Sequence, residues 1–191
     1  MCDIMLRYYM SKVETLPGDY IAGFVDGEGC FALTLRRDIR HERKTKPIYY
    51  SWKAMFAIVL RNDDFVLLEK IKDALGCGSI SFTKNKNQAR YQVGDLNELK
   101  DKIMPFFNKY PLLGKKKDDF VLWSEAVNIL HKYKINRKKI VERGQRGFTK
   151  TIWDKNDIKK LIEIQKKMSP YKAKRTSWKW LDKALELGRE K

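Results

Sequence analysis

The chain has 191 residues, 43% of them apolar and 12% aromatic, enough to bury a core in one domain or in one domain with an appendage. Forty-one Lys and Arg against 24 Asp and Glu leave a formal charge of +17 spread along the whole length, the electrostatic footprint of a polyanion binder, with nucleic acid the favoured partner. No stretch approaches the roughly 18 consecutive apolar residues of a membrane span; Cys2, Cys30 and Cys77 fit no metal-ligand spacing, and His41 and His131 lie too far apart to suggest a His-based nuclease or zinc site.

Residues 1–16 show no clean period and read as a leader without an export signal. Pro17-Gly18-Asp19 provides a break and a cap, and a short apolar helix over 19–25 follows. Gly23 and Gly27 lie one turn apart on its face. The helix is expected to stop where Gly27 and Gly29 stand, leaving Asp26 and Glu28 in an acidic turn at a helix end whose dipole opposes them. Alternation of Phe31, Leu33 and Leu35 then predicts a strand over 30–38. A basic link over 39–47 leads to a second strand over 49–60, with Trp52, Ala54, Phe56 and Ile58 on one face and Ser51, Lys53, Met55 and Ala57 on the other.

Apolar residues at helical spacing predict a helix over 64–75, closed by Gly76-Cys77-Gly78. A second hairpin is expected from 79–84 and 89–93. A helix over 96–108 must end or kink at Pro105, a loop over 110–117 follows, and amphipathic helices are predicted over 118–133 and 155–168. The order is helix-strand-strand-helix-strand-strand-helix, which gives an α+β fold with hairpins in an antiparallel sheet. The expected division is a leader at 1–16, a core domain at 17–133 and a basic helical extension of the same domain at 134–191.

The run Ile21-Ala22-Gly23-Phe24-Val25-Asp26-Gly27-Glu28-Gly29 resembles the nine-position signature of the LAGLIDADG homing endonucleases, with Ala22, Gly23, Asp26 and Gly29 matching its letters. The resemblance covers roughly 19–130 and takes in Gly76-Cys77-Gly78-Ser79-Ile80 and Pro111-Leu112-Leu113-Gly114-Lys115-Lys116. It implies a site-specific, intron-encoded endonuclease that cuts both strands of DNA and leaves short 3′ overhangs. A single signature implies a homodimer whose signature helices pack about the two-fold axis, with Ala22 and Gly23 permitting close approach and Asp26 supporting the helix end. It further implies Mg²⁺ held by the Glu28 carboxylate and the Gly27 carbonyl, and Lys116 beside the scissile phosphate, Lys115 being the match if the loop is one residue out of register.

The implied DNA-binding surface is a curved sheet along the major groove. By alternation its outward face carries Thr34, Arg36, Asp38, Ser51, Lys53, Ser79, Ser81, Thr83, Arg90 and Gln92, with Arg40, Lys115 and Lys117 as further DNA contacts. Lys132, Lys134, Arg137, Lys138, Lys139, Arg143 and Arg146 are expected on phosphates or as a solvated basic face. One departure is Leu60, where many members of the family carry a polar residue. The rival readings are a maturase of the same fold that binds intron RNA and a non-enzymatic DNA-binding regulator. The expected location is intracellular: a bacterial cytoplasm, or a mitochondrion or chloroplast if the protein is made there.

Overall fold

The computed structural model describes residues 15–39, 48–83, 87–140 and 153–168, together with positions 41, 44, 46, 184, 188 and 189. Helix α1 spans Gly18–Glu28 and buries Ile21, Ala22 and Val25. Pro17 takes the cap position without a side-chain bond, and Asp19 lies in the first turn, where its charge suits the positive helix end. The helix runs three residues beyond its expected end at Val25, so Asp26 and Glu28 belong to its last turn and no acidic turn follows. Gly27 does not break it, and the chain changes direction at Gly29, whose φ of −72° and ψ of 159° are those of a strand. Glycine is needed there for proximity: an added Cβ would lie 2.5 Å from Val25 Cγ1 and 2.8 Å from the Val25 carbonyl oxygen.

Strand β1 (Gly29–Ile39) pairs antiparallel with β2 (Ile48–Arg61), from Gly29 opposite Ile58 to Ile39 opposite Ile48. After a 3₁₀ turn at Asn62–Asp64, helix α2 (Phe65–Leu75) ends at Gly76 in the left-handed conformation, φ 64°, as a glycine C-cap does. Strands β3 (Ser79–Thr83) and β4 (Gln88–Val93) complete a four-stranded sheet of order β1-β2-β4-β3. Its inner face carries Phe31, Leu33, Trp52, Phe56, Ile58, Ala89 and Tyr91, all buried.

Helix α3 (96–109) starts at Asp95, whose carboxylate accepts from the Asn97 and Glu98 amides. It widens into a π turn at Leu99–Ile103 and resumes as α-helix over Met104–Lys109. Pro105 therefore does not end the helix: the wide turn puts it at the start of a fresh α segment, where a missing N–H costs little. Helix α4 (Lys116–Ile140) begins two residues earlier than expected and continues well past residue 133. Trp153–Asp154 forms a two-residue strand, β5, parallel to Gly188–Arg189, β6, a pairing too short for any periodicity to announce. Helix α5 (Lys155–Lys167) follows and buries Ile158, Leu161 and Ile164 in the same core as the sheet.

Phe31 is the hub of that core, its ring 5.3 Å from Phe56, 5.6 Å from Phe107, 5.3 Å from Phe120 and 5.1 Å from Trp123, centroid to centroid. Burying one such ring stabilises by about 1.5–3 kcal/mol, and because Phe31 stands two residues beyond Gly29 it fixes the end of α1 against α3 and α4. No helix among the described residues is long and apolar enough to cross a membrane.

Candidate active site and nucleic-acid interface

Residues two apart on a helix point about 200° apart, so α1 sends Asp26 and Glu28 to opposite sides. Asp26 faces the chain itself. Its Oδ2 accepts from the backbone N–H groups of Leu113, 2.7 Å, and Gly114, 3.0 Å. Its Oδ1 is buried without a hydrogen bond, and a Cβ at Gly114 would stand only 3.1 Å from it. Three residues after Leu113, Lys116 turns back and its Nζ donates to the carbonyl oxygens of Asp26 and Gly27, both at 2.7 Å. Those carbonyls are among the acceptors that a helix end leaves unpaired. Four hydrogen bonds thus clasp the segment 113–116 to the end of α1.

The clasp sets the three lysines apart. Lys116, half-buried in the first turn of α4 and not in a loop as expected, is the lysine at the acidic helix end, whereas Lys115 and Lys117 are exposed. Glu28 is exposed and its carboxylate makes no hydrogen bond or ion pair among the described residues. Gly23 and Gly27 lie on the same open side, where an added Cβ would meet nothing within 4 Å. Ala22 does not. Expected at a close helix contact between two copies, it is only 4% exposed and faces the chain's own core, because one residue is a rotation of about 100° on a helix.

The free Glu28 carboxylate and the Gly27 carbonyl are hard oxygen donors at the negative end of a helix, the chemistry a divalent cation such as Mg²⁺ takes. No group of three or more His, Cys, Asp or Glu side chains among the described residues forms a metal cage. The donor set fits a divalent cation in kind.

The outer face of the sheet gathers the other expected residues. Register places Thr34 opposite Lys53, Arg36 opposite Ser51, Gln92 opposite Ser79 and Arg90 opposite Ser81, with Thr83 opposite Gln88. Ser51 Oγ donates to Asp38 at 3.2 Å, and the Arg90 Nη2 reaches Met55 Sδ at 3.5 Å across the sheet. Strand β4 stops at Val93, opposite Phe56, while β2 extends back to Ile48. A trough opens beside the uncovered half of β2, lined by Thr34, Arg36, Lys53, Met55, Gln92, Asp95 and Glu98 among others. The acids Asp95 and Glu98 escape a reading by alternation, since only the unequal strand lengths bring them to this face. Leu60 stands opposite Ala89 and packs partly buried against the core.

Two of the lysines expected on phosphates are paired within the chain: Lys132 with Asp157 at 3.0 Å and Lys134 with Asp95 at 2.7 Å. The hydrogen bond from Lys134 holds the Asp95 carboxyl below its ordinary range. At the other pair, burial and the hydrogen bond to Asp157 push the Tyr133 hydroxyl up to about 12. Arg40, Arg143 and Arg146, and the side chains of Arg137, Lys138 and Lys139, lie outside the described residues.

A family model described as LAGLIDADG endonuclease matches residues 21–127, from the core of α1 to the middle of α4. The chain belongs to the LAGLIDADG endonuclease family. Among its relatives are an uncharacterized 50.9 kDa protein in ND4 intron 1 of Podospora anserina, 32% identical over 64% of this chain and 26% of its own length, and the probable intron-encoded endonuclease 3 of Neurospora crassa, 30% identical over 65% and 22%. The chain thus spans about a quarter of the length of these curated relatives. Of solved structures, a homing endonuclease, I-TnaI, superposes with a TM-score of 0.64 at 24% identity, covering 91% of this chain and 98% of the other. The meganuclease I-SmaMI, crystallised with uncleavable DNA, gives 0.60 at 22%, covering 81% and 45%. These likenesses bear out the LAGLIDADG fold read from the signature and the element order.

Proposed function

We propose that the protein is a site-specific endonuclease that cuts both strands of DNA as a homodimer, by metal-dependent hydrolysis of phosphodiesters that leaves short 3′ overhangs. The observation that carries the proposal is the division of labour at the end of α1: Asp26 is bonded to its own chain, Lys116 is bound to the same helix end, and Glu28 is left free beside them. A regulator that only bound DNA would have no use for a free carboxylate there, since it repels phosphate.

In the dimer, the open face of α1 at Gly23 and Gly27 would pack on its copy and bring two Glu28 carboxylates together at the centre. Like charges in proximity are unfavourable alone, and Mg²⁺ held by Glu28 and the Gly27 carbonyl would relieve them. When bound, the cation would supply activation of water and stabilisation of the leaving 3′ oxygen. Lys116 supplies a positive charge for the phosphate as negative charge builds on its oxygens. Arg36, Lys53, Arg90 and Gln92 stand on the outer sheet face, where a β-ribbon reaches base edges in the major groove. An intron-encoded origin fits the likeness to the probable intron-encoded endonuclease 3 of Neurospora crassa.

The test is cleavage of duplex DNA carrying the joined, intron-free flanks of the host gene, with Mg²⁺ and with the Glu28→Gln variant. Double-strand cutting that needs both Mg²⁺ and Glu28 supports the proposal. Binding of that duplex without cutting would replace it by a regulator, and selective binding of the intron RNA by a maturase.

A further inference from the structure

The Lys116 ammonium already occupies the oxygen assigned above to a metal. Its Nζ stands 2.7 Å from the Gly27 carbonyl and 2.7 Å from that of Asp26. This is a built arrangement, not the resting place of a loose side chain. Asp26 fixes the two residues ahead of the lysines through the Leu113 and Gly114 amides, a Cβ at Gly114 would press on the carboxylate at 3.1 Å, and Lys116 is half-buried where α4 begins. A positive charge there offsets both the helix dipole and the charge of Glu28, the residue that follows Gly27 in the chain. A divalent cation would offset the same two charges, and two cations on one carbonyl repel each other.

Resting on the reading of Glu28 and Gly27 given under Proposed function, we propose that Lys116 is the resident cation of the unloaded site. The ammonium and a divalent cation compete for the end of α1. Metal entry loosens the lysine from the Gly27 carbonyl and frees its charge for a phosphate. Coupling between two ligands is reciprocal, so Lys116 holds metal affinity down in the absence of DNA to the extent that metal weakens the lysine's bonds. Asp26 is the positioning residue of this exchange, acting through 113–114.

The test measures Mn²⁺ binding to the full chain without DNA, with free Mn²⁺ read by electron paramagnetic resonance. Four proteins are compared: the native chain, Lys116→Met, Lys116→Arg and Glu28→Gln. Lys116→Met is expected to bind Mn²⁺ about five-fold more tightly or better, the low end of ordinary coupling between sites. Lys116→Arg, which keeps the charge, should stay near the native affinity, and Glu28→Gln should lose binding. Equal affinities of the native chain and Lys116→Met overturn the resident-cation proposal and leave the metal site standing if Glu28→Gln still loses binding. Binding that survives Glu28→Gln overturns both, and so does absence of binding in every form. If Lys116→Met does not fold, the rate of reductive methylation of Lys116 in the native chain reads the same exchange: it should rise on adding Mn²⁺, and an unchanged or lower rate overturns the proposal.

Discussion

At the end of α1, Asp26 and Lys116 direct their polar atoms at the chain's own backbone through four hydrogen bonds of 2.7–3.0 Å. On the outer face of the sheet Arg36, Lys53, Ser79, Ser81 and Thr83 stand exposed, and none of their side chains bonds to another described residue. The two regions meet different demands. Under the proposed function, a segment that must bring Lys116 to a phosphate gains from being held before the DNA arrives, since any geometry left loose has to be ordered during the reaction. A face that must fit one sequence gains from donors and acceptors without internal partners, which are satisfied only by the right base edges. Glu28 is the exception in the first region, exposed and unbonded like a sheet-face residue.

That exception makes the largest prediction. Glu28→Gln keeps the size of the side chain, removes its charge and touches no contact in the fold. Cleavage should fall by roughly 10²–10³-fold or more, the usual scale for losing one charged group at a reacting centre, while the thermal midpoint stays unchanged. A variant that cuts at the native rate would put the chemistry elsewhere.

The clasp itself comes next. Asp26→Ala removes the acceptor of the exposed Leu113 and Gly114 amides, a loss of about 0.5–1.5 kcal/mol for each bond, and also releases the segment that carries Lys116. Stability and cleavage should fall together, stability measured by urea unfolding. If cleavage were lost with stability intact, Asp26 would act on the chemistry directly and not by holding the loop.

The glycines of α1 separate fold from assembly. Gly29→Ala drives a Cβ to within 2.5 Å of Val25 Cγ1 and 2.8 Å of the Val25 carbonyl, and should cost about 1–3 kcal/mol as overpacking. Gly23→Ala meets open space in the single chain and gains helix propensity, up to about 1 kcal/mol. It should therefore raise monomer stability slightly while weakening the dimer, a shift that sedimentation at several concentrations reads. A Gly23→Ala protein that dimerises as tightly as the native chain would move the interface off this face.

The sheet was legible in the sequence and the clasp was not, for physical reasons. Side chains alternate along a strand with a period of two, so one buried residue such as Phe31 fixes the faces of Thr34 and Arg36 beyond it. A helix gives no such security: misjudging one position turns the side chain by about 100°, which is how Ala22 moved from an expected interface to the core. The end of α1 was misread because glycine usually stops helices, whereas this helix passes through Gly27 and turns at Gly29, where Val25 crowds it. The placement of Lys116 and not Lys115 at the helix end depends on a loop folding back over 87 residues to Asp26, which no local pattern carries. Likewise Lys132 and Lys134 look free in sequence because their partners Asp157 and Asp95 lie 25 and 39 residues away.

Those two lysines give the smallest prediction and the sharpest contrast with the sheet face. Lys53 is exposed on the outer face, whereas Lys134 is ion-paired with Asp95 at 2.7 Å and its side chain is 26% exposed. If Lys53 meets a phosphate, Lys53→Ala should weaken binding evenly across DNA sequences and lower the slope of log K against log salt by about 1, since each phosphate contact releases about one counterion. If it reads a base, the loss should fall on one base pair, about 1–3 kcal/mol, with the slope kept. Lys134→Ala should leave the slope unmoved in either case, because its charge is already matched within the chain. It would show instead in acid: the hydrogen bond from Lys134 lowers the folded-state pKa of Asp95, so the stability it gives is present above the ordinary value of about 3.9 and is lost as pH falls through the lowered value. Without Lys134 that part of the acid sensitivity should shrink. A Lys134→Ala protein with the salt slope of Lys53→Ala would mean that the ion pair opens on DNA, and the division between bonded and waiting residues would then hold only for the free chain.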